Sequence, residues 1–172
     1  MTMLTPASEP ELAALIADHA ASRQPQRIAG GGTRVQTTHL PGAVLTTAAL
    51  SGVVTYAPGE MTLIARAGTP LDQIHALLAA EGQALAFEPA DLRGALGSTG
   101  TPTLGGMVAA NASGPRRLLA GACRDHLLGL RFVDGQGRIL KNGGRVMKNV
   151  TGLDLVKLLC GAHGTLGVLT EV

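Results

Sequence analysis

Aromatic side chains are almost missing from this chain: it has no tryptophan, one tyrosine (Tyr56) and two phenylalanines (Phe87 and Phe132). That scarcity removes the stacking platforms on which single-stranded nucleic acids are held, so no nucleic-acid partner is expected. It also obliges the core to be built from aliphatic and small side chains. Cysteine is equally sparse. Cys123 and Cys160 are the only two, without CxxC spacing and without a His pair in metal-ligand register. No metal site is therefore expected, a four-cysteine cluster is excluded, and two reduced, buried thiols in a cytoplasmic protein is the reading. No apolar run approaches the ~20 residues of a membrane-spanning helix. The opening MTMLTPASEPELAAL has no basic segment ahead of an apolar one, so no signal peptide is expected.

What the chain does have is glycine and aliphatic surface. Its 24 glycines show no three-residue period and alternate with apolar runs, and hydrophobic residues make up 45% of the total, so collagen-like and disordered readings both fail. The 172 residues suit one domain, or two small lobes sharing one core. Charge is unevenly spread. Residues 1–91 hold four basic and eight acidic side chains, whereas residues 92–157 hold ten basic and three acidic ones. A basic second half suits an anionic ligand, or else is a solvated basic face.

Local patterning places the elements. Ser8-Glu9-Pro10-Glu11 is a capping box with proline in the first turn, and Leu12, Leu15, Ile16 and His19 recur at helical spacing, which predicts a helix over Glu9–Ala21. His19 on that stripe is read as structural. Gln26–Ala29 reads as a strand running into Gly30-Gly31-Gly32-Thr33, a turn whose successive N–H groups suit an anion. It is neither a Walker loop nor a GxGxxG fingerprint, because the following GK[ST] and the spacing are both missing. Ala43–Thr47 is a further strand, and Val53–Ala67 is strand, Pro58-Gly59 turn, strand. Thr69 as N-cap and Pro70 at the first position open a helix whose Leu71, Ile74, Leu77 and Leu78 face the core, with Gly82 ending it; His75 beside that face is read as structural. Gln83–Phe87 is expected to be a short strand. Leu127–Val133 and Arg138–Lys141 form a hairpin about Asp134–Gly137, Asp154–Cys160 is a short helix, and Gly161–Gly167 is a second glycine loop leading into a strand from Val168. A lobe division is expected near Leu50–Val53, giving lobes of residues 1–52 and 53–172.

Between these elements lies the stretch Gly97–Gly129, GSTGTPTLGGMVAANASGPRRLLAGACRDHLLG. Only small residues let backbone N–H groups approach a ligand closely. Arg116, Arg117 and Arg124 beside that backbone suit a diphosphate. In order along the chain, GGGT, TPTLGGMVAANASGPRR, GACRDHLLGLRFVDGQGRIL, GGRVMKNVTGLDL and GAHGTLGVLTEV resemble the vanillyl-alcohol oxidase/p-cresol methylhydroxylase type of FAD-binding domain. Within it the similarity is to the FAD-binding subunits of glycolate oxidases. The resemblance spans about residues 25–172.

The resemblance implies an α+β, two-lobed domain of the p-cresol methylhydroxylase type, holding FAD between the lobes and ending before a substrate-cap domain. It implies that Gly30, Gly31, Gly32 and Thr33 line the pyrophosphate, and that Thr101, Thr103, Gly105 and Gly106 contact the phosphates and the flavin side. Asn111, Ser113 and Gly114 would continue that wall, Val168 would meet one end of the cofactor through its backbone, and Arg116 would add a charge-assisted contact. Arg117 and Arg124 could equally pair with Asp125. Covalent relatives often carry a His beside the first glycine loop, where this chain has Thr33 and Arg34, so non-covalent FAD is expected. Leu153 stands where many relatives have an aromatic residue. The activity implied is oxidation of a small 2-hydroxy acid such as glycolate, or else flavin carriage without turnover of its own. Partners would be a second flavin subunit and an iron–sulfur subunit, and the location cytoplasmic or peripheral on the inner membrane through those partners. No catalytic residue is assigned. Lys148 or Arg145 would set positive charge near the reduced flavin, or simply flank the glycine turn. His126 and His163 lie in loops suited to a base, with a structural role as the alternative.

Overall fold

The computed structural model describes residues 2–34, 41–146 and 152–172. Lys148 and most of the VMKNV run lie outside them. The first part is β1 (Met3–Leu4), α1 (Glu9–Ala21), β2 (Gln26–Ala29) and β3 (Ala43–Thr46). The three strands form a parallel sheet in the order β1-β3-β2, with Met3 opposite Val44 and Gln26 opposite Ala43. α1 begins as its capping residues predict: Ser8 Oγ accepts the Glu11 N–H at 3.3 Å. The reciprocal arm lands one residue early, since the Glu11 carboxylate accepts the Ala7 N–H at 2.7 Å. The helix buries Leu12, Ala13 and Ile16 against Leu45 and Leu50. Each fully buried Leu or Ile contributes about 2 kcal/mol.

The second part opens with β4 (Val53–Ala57), a 3₁₀ turn (Pro58–Glu60), β5 (Thr62–Ala65) and α2 (Leu71–Ala80). Thr69 does not cap α2; the cap position is Pro70. The buried Thr69 hydroxyl instead accepts the Gly52 N–H at 3.0 Å and donates to Arg66 O at 2.7 Å, stapling the start of β4 to the end of β5. The first amide of α2, from Leu71, finds Pro102 O at 2.9 Å. Gln83–Phe87, expected as a strand, has no ladder partner. It is held by side chains: Tyr56 Oη donates to Gln83 Oε1 at 2.9 Å, and Gln83 Nε2 donates to Pro58 O at 2.8 Å.

The small-residue stretch is more helical than its composition suggests. After α3 (Arg93–Leu96) come α4 (Leu104–Ala109), α5 (Arg117–Ala120) and α6 (Cys123–His126). Then follow β6 (Gly129–Val133), β7 (Ile139–Gly143), α7 (Leu155–Leu159) and β8 (Val168–Glu171), with β6 between β7 and β8. The β4–β5 hairpin joins the far side of β8: Ala65 and Val172 exchange N–H···O bonds of 2.9 Å in both directions, and the Ala67 N–H reaches Thr170 O at 2.8 Å. Strand alternation lets this sheet serve two cores. Phe132 and Leu169 pack with Ile74, Met107 and Val108, while their neighbours Val133 and Val168 pack with Leu12, Ile16 and Leu45 from the first part.

Candidate cofactor site

β2 ends at Ala29, and the chain turns through Gly30–Thr33 into the mouth of a cleft. Opposite stand Thr103, Gly105, Gly106 and Ala110 of the α4 region, and the loop from His163 to Val168 closes the third side. α4 is placed by hydrogen bonds to the β5–α2 connection: the Leu104 N–H donates to Thr69 O at 2.9 Å and the Gly105 N–H to Ala67 O at 2.7 Å. Thr103 is its N-cap, accepting the Gly106 N–H at 3.3 Å.

Glycine is required here by contact rather than by loop flexibility. A Cβ on Gly30 would stand 2.5 Å from Thr103 Oγ1, and one on Gly105 2.6 Å from the Ala67 Cβ. Gly32 differs: nothing lies within 4 Å, but its φ of +68° is the left-handed conformation that glycine tolerates. Among the described residues the N–H groups of Gly30, Gly31, Gly32 and Thr33 donate to no protein acceptor. Backbone donors demand a partner, and a run of successive free amides is an anion-binding concavity. A diphosphate fits that donor set, because backbone amides supply oriented dipoles without side chains filling the space. The residues present therefore fit FAD.

The thirteen residues named from sequence divide into two groups in space. Gly30, Gly31, Gly32, Thr33, Thr103, Gly105, Gly106 and Val168 share the lining of this one cleft. Thr101 sits immediately behind it, its carbonyl against Gly31. Asn111, Ser113, Gly114 and Arg116 are not in that lining, and each has local work. Asn111, at φ +46°, accepts the Arg124 N–H at 3.0 Å through Oδ1. Ser113 Oγ accepts the Cys123 N–H at 2.9 Å. The Gly114 N–H donates to Phe87 O at 2.9 Å. Arg116 makes an exposed ion pair with Glu88 at 3.3 Å. Arg124 does not pair with Asp125; its Nη2 donates to Cys160 O at 3.0 Å, while Asp125 accepts the Ala122 N–H at 2.8 Å.

Of the residues considered for charge and proton transfer, only His163 reaches the cleft among those described. It is held at φ +52°, with its N–H on Ala109 O at 2.9 Å. His126 hydrogen-bonds Ala120 O at 2.8 Å and lies 5.2 Å from the Phe87 ring, in a different pocket. Arg145 lines a separate groove beside β5 and β6. His19 bonds Leu15 O at 2.9 Å, a structural contact, and His75 is exposed on α2. Behind α4, both cysteines are buried and free. The Cys160 sulfur contacts Val108 O at 3.4 Å. The hydrogen bond between the two thiols, with burial, pushes Cys123 up, and the same bond holds Cys160 below its ordinary value. What keeps both from acting as nucleophiles is that neither sulfur reaches solvent. Arg34 and Thr47 also line the cleft. The sequence marks Arg34 only as standing where a linking His would be, and Thr47 belongs to no motif.

A family model described as the FAD binding domain matches residues 2–143. Glycolate oxidase subunit GlcE of Escherichia coli is 47% identical over 121 residues, covering 70% of this chain and 33% of the relative. D-lactate dehydrogenase of Archaeoglobus fulgidus is 33% identical over 172 residues, covering 98% of this chain and 37% of the relative. The chain thus spans about a third of the length of these curated relatives. A solved structure of alkyldihydroxyacetonephosphate synthase superposes with a TM-score of 0.72 at 22% identity, over 98% of this chain and 30% of that one. That likeness concerns the fold alone; together with the match to the FAD binding domain it bears out the α+β, FAD-binding architecture expected from the sequence. The free amides, the glycine contacts and the family match converge: the chain belongs to the FAD binding domain family, and FAD is its cofactor.

Proposed function

We propose that this chain is the FAD-carrying part of an oxidoreductase acting on small 2-hydroxy acids of the glycolate and D-lactate type. The observation that carries the reading is the run of amides from Gly30 to Thr33 that find no acceptor among the described residues, held open by glycine contacts to Thr101 and Thr103. Similarity to a glycolate oxidase subunit and a D-lactate dehydrogenase supports the substrate class. In this reading FAD lies between a lobe of residues 1–52 and a lobe of residues 53–172. In support, the cleft takes Gly30–Thr33 and Thr47 from the first and, from the second, Thr103, Gly105, Gly106, His163 and Val168 among others. Gly30, Gly31, Gly32 and Thr33 bind the diphosphate, Thr103, Gly105 and Gly106 form the opposite wall, and Val168 bounds one end. FAD, when bound, supplies the two-electron acceptor; the chain's own part is to bind, orient and shield it.

The cofactor is held without a covalent bond, with Thr33 and Arg34 standing beside the glycine loop where a linking His would be. The chain works with a second flavin subunit and an iron–sulfur subunit, in the cytoplasm or at the inner membrane surface. The two buried cysteines cannot ligate a four-cysteine cluster, so onward electron transfer through such a cluster needs ligands from outside these 172 residues.

Flavin absorbance bands after reconstitution with FAD, and release of that FAD into the supernatant on acid precipitation, are the expected results. Absence of the bands would overturn the reading. Bleaching by glycolate or D-lactate tests the substrate class. A second reading, flavin carriage without turnover, is favoured by His126 and Arg145 lying outside the cleft. It predicts bleaching only after partner subunits are added.

A further inference from the structure

Arg34 follows Thr33 directly and is part of the cleft wall. It is half-buried, and its Nη2 donates to Ala90 O at 2.7 Å. Among the described residues no carboxylate lies within ion-pairing distance of it; the pairs present are Arg93–Asp91, Arg116–Glu88, Arg131–Glu9 and Arg138–Asp134. Asp91 is close enough for its charge to act on Arg34, but it is already engaged. Arg93 grips it with Nε–H at 3.0 Å to both oxygens and Nη2 at 2.7 Å, and the Arg93 backbone N–H adds a further bond at 3.0 Å. Burial pushes the Arg34 guanidinium below its usual value. That is the mark of a charge that has lost water without gaining a full partner. A guanidinium offers five donors in a planar fork, and one bond here goes to a neutral carbonyl.

The other arginines near the small-residue stretch are placed differently. Arg116 is mostly exposed and paired with Glu88, and Arg124, whose Nη2 donates to Cys160 O, does not line the cleft. The loop carrying Arg34 is anchored from behind: Ser98 Oγ donates to Thr33 O at 3.1 Å, and Gly31 rests on Thr101. Arg34 thus stands at a fixed point at the end of four free amides.

We propose that Arg34 is the cationic arm of the diphosphate site, its guanidinium pairing with a phosphate oxygen of FAD while the amides of Gly30–Thr33 hold the remainder. This rests on the FAD reading above. The division of labour follows from charge: amides are neutral dipoles, whereas the diphosphate is a dianion that forms its strongest contacts with a fork-shaped cation. Asp91 does not cancel this charge because Arg93 holds it.

The test is a titration of wild type, Arg34→Gln and Arg34→Lys with FAD, read by quenching of flavin fluorescence at low and high salt. ADP, which carries the diphosphate without the flavin ring, serves as competitor. Wild type binds FAD, and ADP displaces it. Arg34→Gln, which keeps an N–H donor for Ala90 O, weakens FAD and ADP by the same factor, on the order of 10- to 100-fold, and flattens the salt dependence. Arg34→Lys recovers part of the loss, and the melting temperatures of the FAD-free variants match wild type. Weakened FAD with unchanged ADP would overturn the proposal, placing the charge at the flavin ring. Unchanged affinity for both ligands would also overturn it, leaving Arg34 as a tie to Ala90. Failure of wild type to bind FAD would instead sink the cofactor reading beneath it.

Discussion

Gly31 lies directly against the carbonyl of Thr101: a Cβ on Gly31 would fall 1.5 Å from that oxygen, and a Cβ on Gly100 would fall 1.7 Å from the carbonyl oxygen of Gly31. Two backbones therefore touch where the Gly30–Thr33 loop meets the Gly100–Thr103 segment. Neither can carry a side chain without parting them. Gly31→Ala is expected to displace the loop, lowering FAD affinity and costing roughly 1–3 kcal/mol of stability. Gly32→Ala has space but a positive φ, and should cost about 1 kcal/mol. Thermal melts with and without FAD compare the two. Equal losses would show that the Gly31–Thr101 contact has no special weight.

Thr103 acts at the other wall. Its hydroxyl accepts the Gly106 N–H and also meets the space above Gly30. Thr103→Val, nearly isosteric but without the acceptor, should lose about 1 kcal/mol from the missing cap, while Thr103→Ser should retain most of it. Urea unfolding midpoints report this directly. Matching midpoints for the Val and Ser variants would remove the cap from the account.

Glu9 links the two parts of the fold. Its carboxylate accepts from Arg131 at 2.5 and 3.1 Å and from the Thr170 hydroxyl. The Arg131 hydrogen bond is the leading cause holding its carboxyl below the usual value near 4.5. A carboxylate depressed in the folded state adds stability above its unfolded pKa and loses it as pH falls through the folded one. Glu9→Gln should thus destabilise by about 1 kcal/mol at pH 7, the modest value reflecting partial exposure of the pair. The difference from wild type should shrink below pH 4. A gap that stays constant with pH in urea titrations would assign the loss to packing.

Cys123 and Cys160 are shut away behind α4, at 0% and 1% exposure. A thiol reagent should label neither in the native protein, and both should react together in denaturant. Labelling rates should rise with urea as the structure opens. Fast native labelling of either would mean that α6 and α7 leave α4 far more readily than their burial implies.

Legibility followed the range of the interaction. The helix Glu9–Ala21 and the hairpin through Asp134–Gly137 rest on contacts a few residues apart, so periodicity and turn residues are sufficient. Gln83–Phe87 has the alternation of a strand but no neighbour with which to build a ladder. Thr69 has the chemistry of an N-cap, yet Gly52 and Arg66 stand close enough to take its hydroxyl instead. Asn111 and Ser113 lie in the same small-residue run as Gly105 and Gly106. The turn after α4 carries them towards α6 and away from the cleft lining.

Local chemistry alone thus settled the helix Glu9–Ala21, the Asp134–Gly137 hairpin and the glycine turns, because 3.6- and 2-residue periods and turn residues are properties of neighbouring residues. Tertiary packing decided which turns face each other. It set Gly30 on Thr103 and Gly31 on Thr101, and left the amides of Gly30–Thr33 without an acceptor among the described residues. It also brought Arg34 into the wall while giving Arg116 to Glu88. These contacts join residues from 28 (Glu88 and Arg116) to 73 (Gly30 and Thr103) positions apart in the chain. Only the folded chain, which seats the loop after β2 on the segment leading into α4, specifies such contacts.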